Sequence, residues 1–131
     1  MVQKVTPFLM FEGDAEAAMN LYAATVPNTK IVDLERNGAG GPGKEGTLYR
    51  GLLSIAGQEV RFFDSPAPHA FKLTPSFSFF VDCESEAEVK RLADALGEGG
   101  QVYMPLAAYP FAKQFAWVGD KFGVSWQISF A

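Results

Sequence analysis

Residues 11–31, FEGDAEAAMNLYAATVPNTKI, and residues 82–102, DCESEAEVKRLADALGEGGQV, align at a constant offset of 71. Ala17 then meets Glu88, Leu21 meets Leu92, Ala24 meets Ala95 and Ile31 meets Val102. Identities are few. What repeats is a pattern of apolar strand, acidic cap, amphipathic helix, turn and strand, which marks a duplicated supersecondary unit. Each copy opens on a phenylalanine-rich run, PFLMF at 7–11 and SFSFFV at 76–81. Both runs are too short for helices and are bounded by proline or acidic residues, so they read as strands.

Outward from this repeat, each helix carries a start signal. Asp14 is placed to cap the first, with Ala17, Ala18, Leu21 and Tyr22 as its apolar stripe. Ser85 is placed to cap the second, Glu88 completes a capping box, and Val89, Leu92, Ala93 and Leu96 follow at helical spacing. Three strands are expected after each helix: 30–36, 49–55 and 59–64 in the first half, 101–104, 115–118 and 124–130 in the second. The segment between the halves carries Pro66, Pro68 and Pro75 and is expected to be irregular. The sequence therefore predicts an α+β fold of two tandem βαβββ modules forming a curled mixed sheet around a cleft, helices outside. Module 1 spans about 3–65, the linker 66–75 and module 2 about 76–131, together one domain over 1–131.

Composition narrows the function classes. Of 131 residues, 48% are hydrophobic and 20% charged, which excludes disorder as the main state. A net charge of −4 with no basic run excludes the electrostatic footprint of a nucleic-acid binder. Cys83 has no second cysteine to pair with, which suits a reducing compartment. No apolar run reaches signal-peptide or membrane-spanning length. The expectation is a cytoplasmic protein with no membrane partner.

A family resemblance covers nearly the whole chain. It is carried by Phe11-Glu12-Gly13 leading into Ala17, Ala18 and Tyr22, by Gly57-Gln58 and by Pro75-Ser76-Phe77-Ser78. Ala87-Glu88, Leu96, Gly99-Gly100, Met104-Pro105-Leu106 and the ending Asp120-Lys121-Phe122-Gly123-Val124-Ser125-Trp126-Gln127 complete it. In these the chain resembles the PhnB-like branch, named for 3-demethylubiquinone-9 3-methyltransferase, of the vicinal oxygen chelate superfamily of glyoxalases and bleomycin-resistance proteins. The resemblance implies a homodimer, and a divalent metal held by His and Glu from four cleft-facing strands. The ligand set is missing: PFLMF and SFSFFV hold no His, Asp or Glu, and the positions on the last strand of each half fall on Arg61 and Gln127. Guanidinium has no acceptor and a neutral amide is a poor ligand. No metal and no cofactor are expected.

Strand parity supplies the remaining site residues. Glu59, Arg61 and Phe63 share one face of their strand; Ser125, Gln127 and Ser129 share one face of theirs. With Ser76 or Ser78, and Trp117 and Tyr49 as aromatic walls, these mixed faces are expected to line the cleft. The ligand-binding candidates are Arg61, Phe63, Ser78, Trp117 and Gln127, suited to a small anionic or aromatic molecule. Arg61 has a second reading as the structural partner of Glu59 or Asp64. The glycine-rich GAGGPGKEG at 38–46 lacks the Gly-Lys-Ser/Thr ending of a phosphate loop and reads as a hairpin loop or lid. His69 has no evident local partner, and the carboxylates beside Cys83 are expected to raise its pKa. The functional expectation is metal-free small-molecule binding; the alternative is an enzyme of the superfamily type.

Overall fold

Phenylalanine-rich β1 (Phe8–Phe11) runs parallel to the last strand of its half, β4 (Gln58–Asp64), and everything between them forms a right-sized crossover. That crossover consists of α1 (Ala15–Thr25), β2 (Thr29–Arg36) and β3 (Leu48–Ile55), giving a four-stranded sheet of order β1-β4-β3-β2. The second half repeats the order: β5 (Ser78–Asp82), α2 (Glu86–Gly97), β6 (Gln101–Tyr109), β7 (Ala112–Gly119) and β8 (Ser125–Phe130), in a sheet ordered β5-β8-β7-β6. The computed structural model describes residues 1–131 and divides them into two compact units, Met1–Ala70 and Phe71–Ala131. Each unit is βαβββ, as the repeat predicts, with its own mixed sheet rather than a share of one continuous sheet. No helix is long and apolar enough to cross a membrane.

In the first unit, Leu9, Phe11, Leu53, Val60 and Phe62 are buried on the face that meets α1. Phe62 stacks on Phe11 with centroids 5.5 Å apart and tilts against Tyr22 at 6.1 Å. The helix buries Ala15, Ala18, Met19 and Tyr22; of the predicted stripe Ala18 and Tyr22 are buried, whereas Ala17 is exposed and Leu21 half-buried. The cause is the helix start. Asp14 makes no side-chain cap, whereas Asp64 Oδ1, from the end of β4, accepts bonds from the backbone N–H of Gly13 and Ala15, both at 3.0 Å. A remote strand thus sets the rotation of α1 and turns Met19 onto Gly51, where an added Cβ would lie 2.7 Å from the Met19 sulfur.

The β3–β4 hairpin turns on Ala56 and Gly57, with φ of 49° and 94°, the left-handed pair that a two-residue turn requires. In the second unit Ser85 Oγ accepts from the Glu88 N–H at 3.1 Å, and Glu88 reaches back to the N–H of Glu84. The predicted cap holds, and Val89, Leu92, Ala93 and Leu96 are all buried. Two strands are longer than their sequence signals. β6 runs through Pro105 to Tyr109 and β7 begins at Ala112; the proline is tolerated because β6 is an edge strand with irregular register around Met104–Ala107.

Asp64→Ala is expected to cost about 1–2 kcal/mol, the value of a lost helix cap. Asp14→Ala is expected to change stability by less than about 0.5 kcal/mol, as an exposed substitution does. Urea unfolding of both variants measures the contrast; equal losses would show that Asp14 is the cap.

Candidate functional site

Parity places Arg61 and Phe63 on the face of β4 opposite Val60 and Phe62, turned away from α1. The register adds neighbours to this face: Phe8 lies opposite Arg61 across the parallel pair, Met10 opposite Phe63, and Leu52 opposite Arg61 on β3. Phe63 is the centre of an aromatic group, with Phe8 at 5.8 Å and Tyr49 at 5.7 Å, the latter edge-on. Phe8 is 58% exposed and Arg61 is exposed as well.

The charges around Arg61 are committed elsewhere. Glu59 pairs with Lys4, and Asp64 accepts the α1 backbone bonds. The Arg61 guanidinium makes no ion pair and no hydrogen bond. The structural reading of Arg61 as the partner of Glu59 or Asp64 is therefore excluded. The chain's two other strand arginines behave differently: Arg36 forks onto Glu16 with both terminal nitrogens, at 2.7 and 2.6 Å, and Arg50 holds Glu35 at 2.6 Å. Those contacts push Glu16 below the usual carboxylate range and raise both guanidiniums.

In the second unit Gln127 occupies the corresponding position. It faces Phe80 across the parallel β5–β8 pair and Trp117 across the antiparallel β7–β8 pair. Ser78 and Trp117 meet through a residue between them: Trp117 Nε1 donates to Ser125 Oγ at 2.7 Å, and Ser125 Oγ lies 2.6 Å from Ser78 Oγ. Ser125 is buried, so it supports the face rather than presenting itself on it. Ser76 lies before β5, bonded to Thr74 in the turn, and is not a face residue. Tyr103 packs on Trp117 at 5.3 Å, and exposed Phe80 and Phe111 flank buried Phe115 at 6.4 and 5.0 Å. Thus Arg61 and Phe63 share one sheet face, and Ser78, Trp117 and Gln127 share another.

Phe8, Phe80, Tyr103 and Phe111 were not among the residues expected to line the site. Phe80 alternates with Ser78 and Asp82 in SFFVD, a signal that could have placed it on the Ser78 face, whereas in FLMF both alternating sets are apolar. Parity cannot choose a face there without the register.

The specific ending DKFGVSWQ has a structural explanation. Buried Asp120 accepts from the N–H of Phe122 and Val124 on Oδ1, and from Trp126 Nε1 on Oδ2 at 3.0 Å. The glycine-rich 38–46 segment closes on buried Asn37, which donates to Thr47 Oγ1 at 3.1 Å and accepts from Gly43 N–H at 3.3 Å. A pocket of about 540 Å³ lies between this loop, the start of α1 and the end of β4. Its polar groups are largely bonded within the protein: Glu16 to Arg36, Asp64 to α1, Asn37 to its own loop.

The superfamily metal does not fit the residues present. No three His, Cys, Asp or Glu side chains converge anywhere, and the strand positions expected to ligate hold a guanidinium and an amide. His69 is not isolated as expected, since its Nε2 lies 2.7 Å from Ser65 Oγ; that hydroxyl is also bonded to Ala67 within the same turn. Burial and the Glu88 carboxylate push the Cys83 thiol up to about 11.

The profile of the family described as 3-demethylubiquinone-9 3-methyltransferase matches residues 3–129. A solved structure of the PhnB protein from Bacillus cereus, which bears the same methyltransferase name, is 46% identical, with a TM-score of 0.93 over 98% of this chain and all of that one. Protein YjdN of Escherichia coli is 25% identical over 95% of this chain and 93% of its own length. The fosfomycin resistance protein FosX of Listeria monocytogenes, solved with Mn(II) and a dihydroxypropylphosphonic acid, shares the fold at a TM-score of 0.65 and 11% identity over 98% and 93% of the two chains.

Because a thiolate and not a thiol is the nucleophile, alkylation of native Cys83 by iodoacetamide is expected to stay slow at pH 8. It is expected to rise to half its maximal rate near the raised value of about 11. A rate profile with its midpoint at the ordinary thiol value, measured by mass spectrometry, contradicts the buried, carboxylate-flanked environment.

Proposed function

We propose a function from one premise: this chain belongs to the 3-demethylubiquinone-9 3-methyltransferase family, the PhnB-like branch of the vicinal oxygen chelate superfamily. On that premise the chain is a small-molecule binding protein, one functional domain over 1–131, that works without a metal. Its ligand is a small anionic aromatic compound, bound in the first unit through Arg61 and Phe63; Ser78, Trp117 and Gln127 are the binding residues proposed for the second unit, taken by itself.

The observation that carries this reading is Arg61. An exposed guanidinium on a sheet face, beside Phe8 and Phe63 and with both nearby carboxylates already bonded elsewhere, is a free cation in an aromatic setting. Its planar fork matches a carboxylate or phosphoryl oxygen pair, and the rings offer stacking area for the rest of the ligand. The hydrogen-bonded Ser78–Ser125–Trp117 group holds Trp117 in a fixed orientation beside Gln127, which can donate and accept one bond each. Such a combination, apolar walls with a few fixed polar groups, is the usual makeup of a ligand site.

Methyl transfer draws no support from these features. The glycine-rich segment joins two strands instead of opening a helix, so it does not present the backbone donors with which a strand–turn–helix unit holds a nucleotide. The exposed aromatic residues Phe8, Phe80 and Phe111 also favour self-association. We propose a homodimer, and light scattering is expected to give twice the mass of the chain; a monomer at tens of micromolar refutes it.

A thermal-shift screen of aromatic carboxylates against wild type and Arg61→Met tests the binding role. At least one compound is expected to stabilise the wild type, with affinity falling about tenfold in the variant, as for loss of a charge-assisted bond. Arg61 has no internal partner, so the ligand-free variant is expected to unfold with wild-type midpoint. Equal stabilisation of both proteins by every compound overturns the role of Arg61.

A further inference from the structure

Two residues before Arg61, on the same face, the first sheet holds a second group of polar side chains that the reading above does not use. Lys30 lies opposite Ser54, and Ser54 lies opposite Glu59, so one cross-strand row runs from β2 through β3 to β4. The segment preceding β1 passes beside this row. Together Lys4, Val5, Thr6, Lys30, Ser54 and Glu59 are among the residues that enclose a pocket of about 470 Å³.

The bonding state of these groups separates this pocket from the one beside the glycine-rich loop. Lys4 is paired with Glu59, which cancels that charge locally. Gln58 Nε2 donates to the Glu59 carbonyl, which directs that amide into the backbone. Lys30 Nζ, Ser54 Oγ and Thr6 Oγ1 make no hydrogen bond or ion pair. The pocket thus offers an ammonium and two hydroxyls as uncommitted donors, a second ammonium with two protons beyond its pairing to Glu59, and one carboxylate that is already neutralised. Donors in excess of acceptors, with one net positive charge, are the complement of an oxyanion.

We propose that this pocket binds a tetrahedral oxyanion, a phosphoryl group, and that the ligand of the first sheet is accordingly an aromatic compound carrying one. The inference rests on the reading of this face as a ligand face and adds the class of its anionic end. Distance supports the combination. Positions two apart on a strand are about 6.6 Å apart, so the Lys30–Ser54–Glu59 row lies one such step from Arg61 and two from Phe63. A phosphoryl group among Lys30, Ser54 and Thr6 leaves Arg61 to take a further oxygen and the Phe8–Phe63–Tyr49 group to stack on the ring. Glu59 has a stated part: by holding Lys4 it keeps that ammonium at the mouth of the pocket rather than in solvent.

The test is calorimetric titration of the full chain at constant ionic strength with three probes: inorganic phosphate, benzoate and phenyl phosphate. Phosphate is expected to bind saturably, one per chain, in the millimolar range. Lys30→Met is expected to weaken it about fivefold or more, the loss of one charge-assisted contact at a partly exposed site. Lys30→Arg is expected to restore most of it. Lys90→Met, which removes an equal charge from the surface of α2, is expected to leave it unchanged. Phenyl phosphate is expected to bind more tightly than either fragment and to lose affinity in both Lys30→Met and Arg61→Met. Absence of saturable phosphate binding, or equal weakening by Lys30→Met and Lys90→Met, overturns the pocket. If benzoate still binds in an Arg61-dependent way, only the pocket falls and the ligand face stands. If phosphate binds through Lys30 while benzoate shows no dependence on Arg61, the aromatic face falls and the oxyanion pocket stands.

Discussion

Each half of the chain depends on one pairing, the parallel contact between its first strand and its last. β1 meets β4 and β5 meets β8 across most of a module's length in sequence. A parallel pair cannot be closed by a tight turn, so the helix and two further strands must be routed around it. The helix then covers one face of the sheet, burying Phe62 against Tyr22 in one unit and Trp126 among the apolar side chains facing α2 in the other. The other face is left to whatever side chains the register assigns it. Arg61 beside Phe8 and Gln127 beside Phe80 are that assignment, made twice by the same geometry on different residues.

The same pairing decides which charges are free. Asp64 ends β4 next to the start of α1 only because β1 and β4 are neighbours, and there it bonds two backbone N–H groups. Glu59, at the other end of β4, meets Lys4 for the same reason, since Lys4 lies just ahead of β1. Both carboxylates that flank Arg61 along β4 are thereby used by the fold. Arg36 and Arg50 lie on strands without that competition, and each finds its own carboxylate. Arg61 is left uncompensated in a chain of net charge −4, through the topology and not through any shortage of acidic residues.

What was legible from the sequence follows the same division between local and non-local order. The βαβββ repeat, the Ser85 cap and the apolar stripe of α2 are local signals, and each appears where its pattern places it. The stripe of α1 holds at Ala18 and Tyr22 and departs at Ala17 and Leu21, on a helix whose start is bonded by Asp64, a residue far along the chain from Asp14. Arg61, Phe63 and Gln127 could be assigned a face because their strands alternate between large apolar and polar residues. Phe8 could not, because its strand is apolar on both sides. The extension of β6 through Pro105 was hidden for another reason: proline marks a break by its missing donor, and an edge strand does not need that donor.

The two modules share topology but have diverged in the chemistry of their uncovered faces. On the second unit the polar groups are neutral and tied together, with Trp117, Ser125 and Ser78 bonded in sequence beneath Gln127. Satisfied polar groups of this kind fix side-chain orientation and specify a single arrangement. On the first unit the face carries formal charge that the protein does not neutralise, on Arg61 and Lys30 alike. A guanidinium without a partner adds nothing to stability and, placed among aromatic rings, loses some of its hydration. Its presence is therefore not explained by the fold. A divalent cation held by imidazoles and carboxylates presents positive charge to an oxyanion with open coordination positions. On the proposed reading, Arg61 presents positive charge to the ligand with no coordination sphere to assemble, and its fork fixes the direction of approach instead of the coordination number. A guanidinium in place of a metal, on that proposed reading, removes Lewis acidity and keeps electrostatic recognition, and that difference separates activating a ligand from holding it.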